Sequence, residues 1–401
     1  MNPSEPLVLR GRLVTPGAVV DDGALVVLGE QIAWAGPAAE TPGPWDALVR
    51  RTPATDRTLL PGLVDLHNHG GGGASFPEAL DVEQVRTAAA EHLRHGTTSL
   101  VASLVTAPGP TLVERVQTLT AVVASGELAG IHLEGPFLST VRCGAQDPHH
   151  MVPGDPLLVE EVATAAGGAF ATMTVAPEVA GAADVVRALA ANGAVPSVGH
   201  TDATAEQTRE LIDLALEVLA GPGARSSRPT ATHLFNGMRP LHHREPGPVG
   251  ECLAAAARGE MVLELVADGV HLADATTRMV FELVGAQNVA LVTDAMAAAG
   301  MADGDYALGG QPVRVVEGVA RLAEDGAIAG GTAHLLDVVR RTVEIGVPLA
   351  DAVRAASATP AQVLGLEDVG AFEAGRRADV VVTDAELHVV AVLRRGEQVV
   401  G

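Results

Sequence analysis

The sequence predicts an α/β fold: a (β/α)8 TIM barrel, together with a small β-sandwich domain built from both ends of the chain. Three observations predict it, namely eight short apolar runs, Ala-rich helical stretches between them, and alternating apolar and polar residues near both termini. Strand and helix patterns that alternate along a chain indicate a parallel sheet, and eight parallel strands are the number that closes such a barrel.

Each apolar run except the last precedes a helical stretch or a long loop. An open doubly wound sheet also accommodates eight strands, but it usually carries a G-x-G-x-x-G phosphate loop after its first strand. The glycines at 70–73 fit that pattern poorly, so the closed barrel is favoured. The predicted strands are 60–66, 97–104, 130–135, 171–177, 195–199, 230–235, 261–267 and 289–293, and the predicted helices include 81–95, 111–125, 158–166, 182–192, 203–220 and 272–284.

The two ends of the chain differ in pattern from the barrel. Segments 7–14 and 24–35 alternate as strands do, and no helical period appears before residue 58. We therefore assign residues 1–58 and 368–401 to one β-sandwich domain and residues 59–367 to the barrel. Residues 306–323 are expected to form a β-hairpin inserted after the last strand. Helices at 334–345 and 349–356 and the segment 358–366 are expected to close the barrel.

Composition narrows the class of protein. All 26 basic residues are arginines, and the formal net charge of −23 argues against nonspecific binding to nucleic acid or to an anionic membrane. Cys143 and Cys252 lie far apart, so neither a disulfide framework nor a thiolate metal site is expected. The first residues show no signal-peptide pattern, and no apolar run is long enough to span a bilayer. We expect a cytoplasmic protein.

The stretch from Leu59 to Gly70 is the one around which the chain is organised. A Pro-Gly turn leads into an apolar run that ends in His67-Asn68-His69. Alternate residues of a strand point the same way, so both histidines are expected to lie on one face at the strand exit, as in a metal chelate. Two polar residues that merely end a strand are the simpler alternative.

Other barrel strands end in similar residues. Catalytic groups of a (β/α)8 barrel lie at the carboxyl ends of its strands. Each residue alone has a structural explanation, such as a hydrogen-bonded core histidine, a helix-capping acid or a turn-forming aspartate. Together, imidazoles and carboxylates are the ligands of zinc-like divalent ions, so we favour a metal centre. The residues at the strand exits are His67, His69, Glu134, His200, His233 and Asp294.

The remaining histidines are weaker candidates. His132 shares a face with Glu134 but lies deeper along the strand, which indicates a supporting role. His92 and His95 fall on a predicted helix, and we expect them to be exposed to solvent. His334 falls outside the predicted cluster.

The order of these motifs resembles the amidohydrolase superfamily, and within it the enzymes that deacetylate amino-sugar phosphates. The resemblance covers nearly the whole chain. It rests on Pro61-Gly62-Leu63-Val64-Asp65-Leu66-His67-Asn68-His69-Gly70, Ile131-His132-Leu133-Glu134-Gly135-Pro136-Phe137, Gly199-His200-Thr201, Thr232-His233-Leu234-Phe235-Asn236-Gly237-Met238, Arg244-Glu245-Pro246-Gly247, Asp268-Gly269-Val270-His271 and Val292-Thr293-Asp294-Ala295.

The resemblance implies a divalent metal cofactor, expected to be zinc, with one or two ions per subunit. Glu134, His200 and His233 would hold one ion, and His67 and His69 would hold a second, with Glu134 as the bridge. Many relatives bridge two metals with a carboxylated lysine, which a chain without lysine cannot supply. This absence independently points to Glu134.

The implied reaction is hydrolysis of N-acetylglucosamine 6-phosphate to glucosamine 6-phosphate and acetate. The metal would lower the pKa of a water molecule toward roughly 7 and polarise the amide carbonyl, and Asp294 would transfer the proton to the leaving amine. The resemblance further implies a homodimer, in which Arg244 and His271 bind the sugar phosphate and one of them comes from the neighbouring subunit. Asn236 and Gly237 are expected to make further contacts.

One departure concerns the loop at 142–148, where Gln146 replaces a histidine that commonly touches the substrate in relatives. Cys143 of the same loop is an ordinary loop cysteine or a lid residue. The alternatives are another N-acetyl-hexosamine phosphate or an N-acyl amino acid as substrate, a deaminase, or a scaffold that has lost catalysis. The residues that follow His200 argue against a deaminase, and the complete ligand set argues against a scaffold.

Overall fold

The computed structural model describes residues 5–401, so residues 1–4 of the predicted first domain lie outside the described part. Eight parallel strands lie side by side in chain order, which confirms the predicted barrel. The first and last strands meet through their exits, where the His69 amide donates to the Ala295 carbonyl and the Asp294 amide donates to the His67 carbonyl. The barrel strands are Leu63–Asp65, Thr97–Leu104, Gly130–Glu134, Phe170–Val175, Val195–Val198, Thr230–Ala231, Val262–Leu265 and Val289–Leu291.

Helices connect these strands and pack around them. Their apolar faces form one large core with apolar strand residues, while a second cluster, mainly of valines, joins barrel-strand residues to the segment 361–369. No helix within residues 5–401 is long and apolar enough to cross a membrane. The helices are Val82–Arg94, Gly109–Ala124, Pro156–Ala166, Ala182–Ala191, Ala205–Leu219, Gly247–Ala257, Asp274–Val284, Leu335–Glu344, Leu349–Ala355 and Ala358–Val363.

The run predicted as one strand at 60–66 is in fact two strands in different sheets. Thr58–Pro61 pairs with strands from both ends of the chain, and Leu63–Asp65 is the first barrel strand. The chain changes sheets at Gly62, where a Cβ atom would lie 2.2 Å from Oγ1 of Thr98. Only glycine fits this junction, which holds the barrel and the terminal sheet together.

The two ends of the chain share one continuous sheet. Its core contains apolar residues from both ends, including Leu25 and Val380. The predicted strand at 24–35 is two strands, because a turn at 29–30 reverses the chain, and the expectation of no helix before residue 58 is wrong, because Gly43–Arg51 is helical. The boundaries at 58/59 and 367/368 remain predictions. In order, the strands are Glu397–Val400, Val389–Arg394, Val380–Thr383, Thr58–Pro61, Leu7–Thr15, Ala18–Leu28 and Gln31–Pro37.

Two small sheets lie beside the mouth of the barrel. Gly70–Gly71 and Ala74–Ser75 form a short hairpin directly after the two histidines of the first strand. The segment predicted as a hairpin at 306–323 has three strands, because a second turn at 317–318 adds one more. This meander packs on Val105 and Met296, which places it over the strand exits. Its strands are Gly304–Leu308, Gln311–Val316 and Val319–Leu322.

Candidate metal centre

Six side chains at the strand exits lie together in one buried site. His67 and His69 follow the first strand, Glu134 ends the third, and His200, His233 and Asp294 follow the fifth, sixth and eighth. The last three have positive φ angles of 45°, 26° and 48°. Non-glycine residues seldom adopt this strained conformation, which accumulates at functional sites because it redirects side chains.

Glu134 lies at the centre of the group. Its Oε1 is 2.8 Å from Nε2 of His200 and 2.7 Å from Nε2 of His233. Its Oε2 is 3.1 Å from Nε2 of His69 and 3.6 Å from Nε2 of His67. Each carboxylate oxygen therefore faces one pair of histidines, as expected of a group that bridges two adjacent binding positions.

Asp294 lies beside the first-strand histidines. Its Oδ1 is 3.2 Å from Nε2 of His69 and 3.5 Å from Nε2 of His67, and its Oδ2 is 3.8 Å from Nε2 of His271. Burial opposes ionisation of Asp294, but the neighbouring histidines outweigh burial and hold the pKa of this carboxyl below its usual range. Asp294 is therefore ionised.

Most of the histidines are locked in one tautomer. Nδ1 of His69 lies 3.2 Å from the Ser103 carbonyl, and Nδ1 of His200 lies 2.8 Å from the Arg142 carbonyl. A carbonyl only accepts, so each Nδ1 carries a proton, and Nε2 is the nitrogen that faces Glu134 and is left to supply a lone pair to a metal ion. Nδ1 of His233 is buried without a hydrogen-bond partner among the described residues.

This geometry fits metal ions. Lone pairs of imidazole that face carboxylate oxygens at hydrogen-bond distance repel each other unless a cation or additional protons lie between them. Nε2 of His67 and Nε2 of His69 also face each other at 3.0 Å, an arrangement that disfavours two protonated rings. Imidazole nitrogen and carboxylate oxygen are the donor atoms of divalent zinc and related ions.

The negative charge of the buried carboxyl groups at the site also favours bound cations. Four carboxyl groups are buried around the strand exits, and no arginine within residues 5–401 lies within ion-pair distance of them. Buried carboxylates need a compensating positive charge, and two divalent cations match four of them. The four groups are Asp65, Glu134, Glu264 and Asp294.

Five of the six groups, all except His67, line a cavity of about 200 Å³, together with several residues predicted to bind substrate. Asn236, Gly237, Gln146 and His271 all contribute to its wall. His271 is held there by Asp268, whose Oδ2 lies 2.8 Å from Nδ1. Arg244 is elsewhere, because it is exposed on a loop with Nη1 only 2.9 Å from Nε2 of His243. Within a single chain, the structure does not bring Arg244 to the cavity.

Gln146 has a closer relation to the centre than the sequence suggests. Its Nε2 donates a 2.6 Å hydrogen bond to Oε2 of Glu134, and its Oε1 accepts a 2.7 Å bond from the Thr106 amide. Both ends of the carboxamide are thus engaged. Cys143 is half-buried on the same loop, and the next residue, Gly144, lines the cavity.

Sequence reasoning missed a polar network beneath the first strand. Asp65 accepts a 2.6 Å bond from the Thr293 hydroxyl, and Asn68 donates to both Asp65 and Thr293. Burial raises the pKa of Asp65 to about 6, although these hydrogen bonds oppose the increase. His92 is fully buried against this network rather than exposed as predicted, and burial lowers its pKa to about 4. The network ties the first strand exit to the eighth.

A second group of potential ligands lies outside the cavity, and its shape argues against a metal. Nε2 of His334 is 3.0 Å from Oε1 of Glu91, and Nδ1 of His95 is 3.3 Å from the same atom. The His95 and His334 rings stack 3.5 Å apart at 13°, so their in-plane lone pairs run parallel and cannot meet at one ion. Arg94 also binds Glu91. The group joins two helices through an ion-paired network.

The fold and the site define a class of protein: a (β/α)8 barrel with buried imidazole and carboxylate groups at its strand exits that could hold a divalent metal. The chain belongs to the amidohydrolase family, whose model matches residues 58–399. Such enzymes hydrolyse carbon–nitrogen bonds with the help of a metal.

Comparison with individual proteins agrees with this family. An N-acetylglucosamine-6-phosphate deacetylase from Lysinibacillus sphaericus is 34% identical over 344 residues, which are 84% of each chain. An N-acetylgalactosamine-6-phosphate deacetylase from Escherichia coli O157:H7 is 33% identical over 401 residues, covering 97% of this chain and 98% of that one. A mutant N-acetyl-D-glucosamine-6-phosphate deacetylase from Mycobacterium smegmatis, solved with N-acetyl-D-glucosamine-6-phosphate, has a TM-score of 0.89 at 40% identity, covering 99% and 100% of the two chains.

Proposed function

We propose that this protein hydrolyses N-acetylglucosamine 6-phosphate to glucosamine 6-phosphate and acetate. The observation that carries the proposal is the position of Asp294, whose carboxylate lies within 3.5 Å of His67 and His69 at the edge of the histidine and glutamate centre. Hydrolysis of an acetamide requires an activated water and a group that protonates the leaving amine. The proposed metal ligands and Asp294 would meet both requirements in one cavity.

Glu134, His200 and His233 would hold one divalent ion, and His67 and His69 would hold a second with Glu134 as the bridge. We propose zinc, because buried imidazole and carboxylate ligands suit it. The ions would acidify a water molecule and polarise the acetamide carbonyl when bound. The buried walls would keep bulk water away, which strengthens electrostatic interactions inside the cavity.

Asp294 would handle the proton. Its carboxylate is ionised and would accept a proton from the attacking water, then deliver that proton to the nitrogen of the departing glucosamine. An amine is a poor leaving group until it is protonated, so this second transfer is as necessary as the first. Asp294 sits on the exit of the eighth strand, and its backbone amide is fixed by the His67 carbonyl.

The substrate would lie against Asn236, Gly237, His271 and Gln146 on the cavity wall. Its phosphate is attracted poorly by a chain with a net charge of −23, so it needs a local cation. Arg244 would be this cation, reaching the cavity of the neighbouring subunit of a homodimer, because its fork-shaped guanidinium suits phosphate. We also propose that the enzyme works in the cytoplasm.

The test measures acetate release by protein loaded with zinc. Release from N-acetylglucosamine 6-phosphate, with much less from the unphosphorylated sugar, is the expected result. N-acetylgalactosamine 6-phosphate should be tested in the same assay, because one relative with 33% identity is named an N-acetylgalactosamine-6-phosphate deacetylase. Folded, metal-loaded protein that releases no acetate from either phosphosugar contradicts the proposal.

A further inference from the structure

A buried glutamate on the seventh barrel strand has no role in the proposed reaction. Glu264 lies within Val262–Leu265, and only 2% of its surface is exposed. Within residues 5–401 its only ion-pair partner is His67, whose Nδ1 lies 3.2 Å from Oε2. Burying a carboxylate costs several kcal/mol unless it is compensated, so a residue retained here needs an explanation.

Glu264 determines which ring nitrogen of His67 faces the centre without a proton. A carboxylate only accepts hydrogen bonds, so Nδ1 of His67 carries a proton, and Nε2 is the nitrogen left to supply a lone pair to a metal ion. That lone pair points toward Nε2 of His69 at 3.0 Å and Oε2 of Glu134 at 3.6 Å. The opposite tautomer would present a proton to the same place and would exclude a metal.

His67 differs in this respect from its neighbours. Nδ1 of His69 and Nδ1 of His200 are held by backbone carbonyls, whereas Nδ1 of His67 is held by a charged carboxylate. A carboxylate behind an imidazole fixes the ring and makes it a more basic ligand. Oε2 of Glu264 also lies 3.4 Å from the His233 amide, which fixes the carboxylate itself.

We propose that Glu264 is a positioning residue for His67, and that this contact determines how tightly the His67 and His69 half of the centre holds its metal ion. The inference rests on the proposed metal centre. It implies that the half formed by Glu134, His200 and His233 depends far less on Glu264, whose contact with that half is the 3.4 Å approach to the backbone amide of His233. The two ions therefore differ in their dependence on one carboxylate that touches neither.

Zinc binding to purified apo-protein, titrated in competition with a chromophoric chelator, tests this proposal without any substrate. Wild type is expected to bind two ions per chain. Glu264→Leu is expected to weaken one of them about 10–100-fold, the usual effect of removing the partner of a ligating histidine, and to leave the other within about threefold. His67→Gln is expected to weaken the same ion.

Glu264→Gln separates the effect of the hydrogen bond to His67 from the effect of the negative charge of Glu264. The glutamine oxygen still accepts from Nδ1 of His67, so this variant is expected to retain more affinity for the second ion than Glu264→Leu does. It also guards against a leucine variant that fails to fold. The matched control is Glu91→Gln, which alters another buried glutamate paired with a histidine, His334, outside the cavity. The control is expected to bind both ions as wild type does.

Three results overturn the proposal: a wild type that binds one ion per chain, a Glu264→Leu variant that keeps both ions at wild-type affinity, or a variant that loses both ions equally. Equal loss indicates a general structural role for Glu264. The titration uses zinc and no sugar. Its result can therefore be interpreted even if the proposed sugar substrate is wrong.

Discussion

Nε2 of Gln146 donates a 2.6 Å hydrogen bond to Oε2 of Glu134, the oxygen that faces His67 and His69. This contact orients the carboxylate at the centre of the site. Gln146→Leu is therefore expected to lower kcat/KM for deacetylation by about 10-fold or more, the lower end of the usual cost of removing a partner of a metal ligand. Steady-state kinetics on metal-loaded protein, with metal content measured on the same sample, provides the check.

The control for Gln146 is Gln311→Leu. Gln311 donates to the Ala145 carbonyl of the same loop but lies outside the contact with Glu134. It is expected to have a smaller effect. Equal losses in the two variants would show that loop position, rather than the bond to Glu134, accounts for the change.

The proposed role of Arg244 leads to a separate prediction about how the two subunits of the dimer share a site. Arg244→Ala is expected to raise KM for the phosphorylated sugar at least 10-fold, because it removes the cation proposed for the phosphate. Mixed dimers that pair an Arg244→Ala chain with an Asp294→Asn chain should regain activity, since the first chain keeps Asp294 and receives Arg244 from its partner. Initial rates provide the check; they are measured at a low substrate concentration, at which both variants are impaired, after mixing and reassociating the two proteins.

Arg187→Ala is a suitable control for the arginine experiment, because Arg187 is exposed on the helix Ala182–Ala191. That change is expected to leave KM unchanged. Mixed dimers that remain inactive would show that Arg244 does not act across the subunit boundary.

Much of the fold was predictable because its determinants are local. Apolar runs separated by helical periods predicted the barrel, and reading the residue after each run predicted which side chains the exits bring together. The close approach of Glu134 to His200 and His233 follows from this topology. The roles of these residues in metal binding and catalysis remain predictions.

Other features depend on tertiary contacts that no local pattern encodes. Gln146 reaches Glu134 through a loop whose path depends on the completed barrel. The strand break at Gly62 depends on the approach of Thr98 and Asp379. Glu264 did leave a signal, since it is the one charged residue in the apolar run 261–267, but its partner His67 is almost 200 positions away in sequence.

The two cysteines should differ sharply in reactivity. Cys252 is fully buried, and burial raises the pKa of its thiol to about 12, so almost none of it is thiolate at pH 8. Cys143 is half-buried on the loop beside the cavity. An aromatic disulfide reagent is expected to modify one thiol in native protein and a second only after unfolding. Equal rates for both thiols, or loss of the fast phase in Cys252→Ser rather than in Cys143→Ser, would contradict this.

The ion pairs of Glu91 lead to a prediction about how the free energy of unfolding changes with pH. Burial opposes ionisation of Glu91, but Arg94 and His334 outweigh burial and lower its pKa. A lowered carboxyl pKa stabilises the fold above the unfolded value of about 4.3, and this contribution is lost as the pH falls further. Glu91→Gln should therefore cost about 1 kcal/mol at pH 7, with the difference from wild type shrinking below about pH 4.3.

Thermal unfolding of apo-protein across this pH range measures the effect. Glu83→Gln, which alters an exposed residue on the same helix, is expected to show no comparable change. A difference for Glu91→Gln that stays constant with pH would indicate that packing, rather than charge, accounts for the loss of stability.

The most direct test compares acetate release from N-acetylglucosamine 6-phosphate by wild type and Asp294→Asn, with zinc measured on both samples. We predict rapid release by wild type and a loss of about 10²–10⁴-fold in kcat for the variant, because a general acid–base group contributes that much. Zinc content should change little, since the asparagine oxygen preserves the shape of the site. A variant with wild-type kcat, or a folded and zinc-loaded wild type that releases no acetate, would contradict the account.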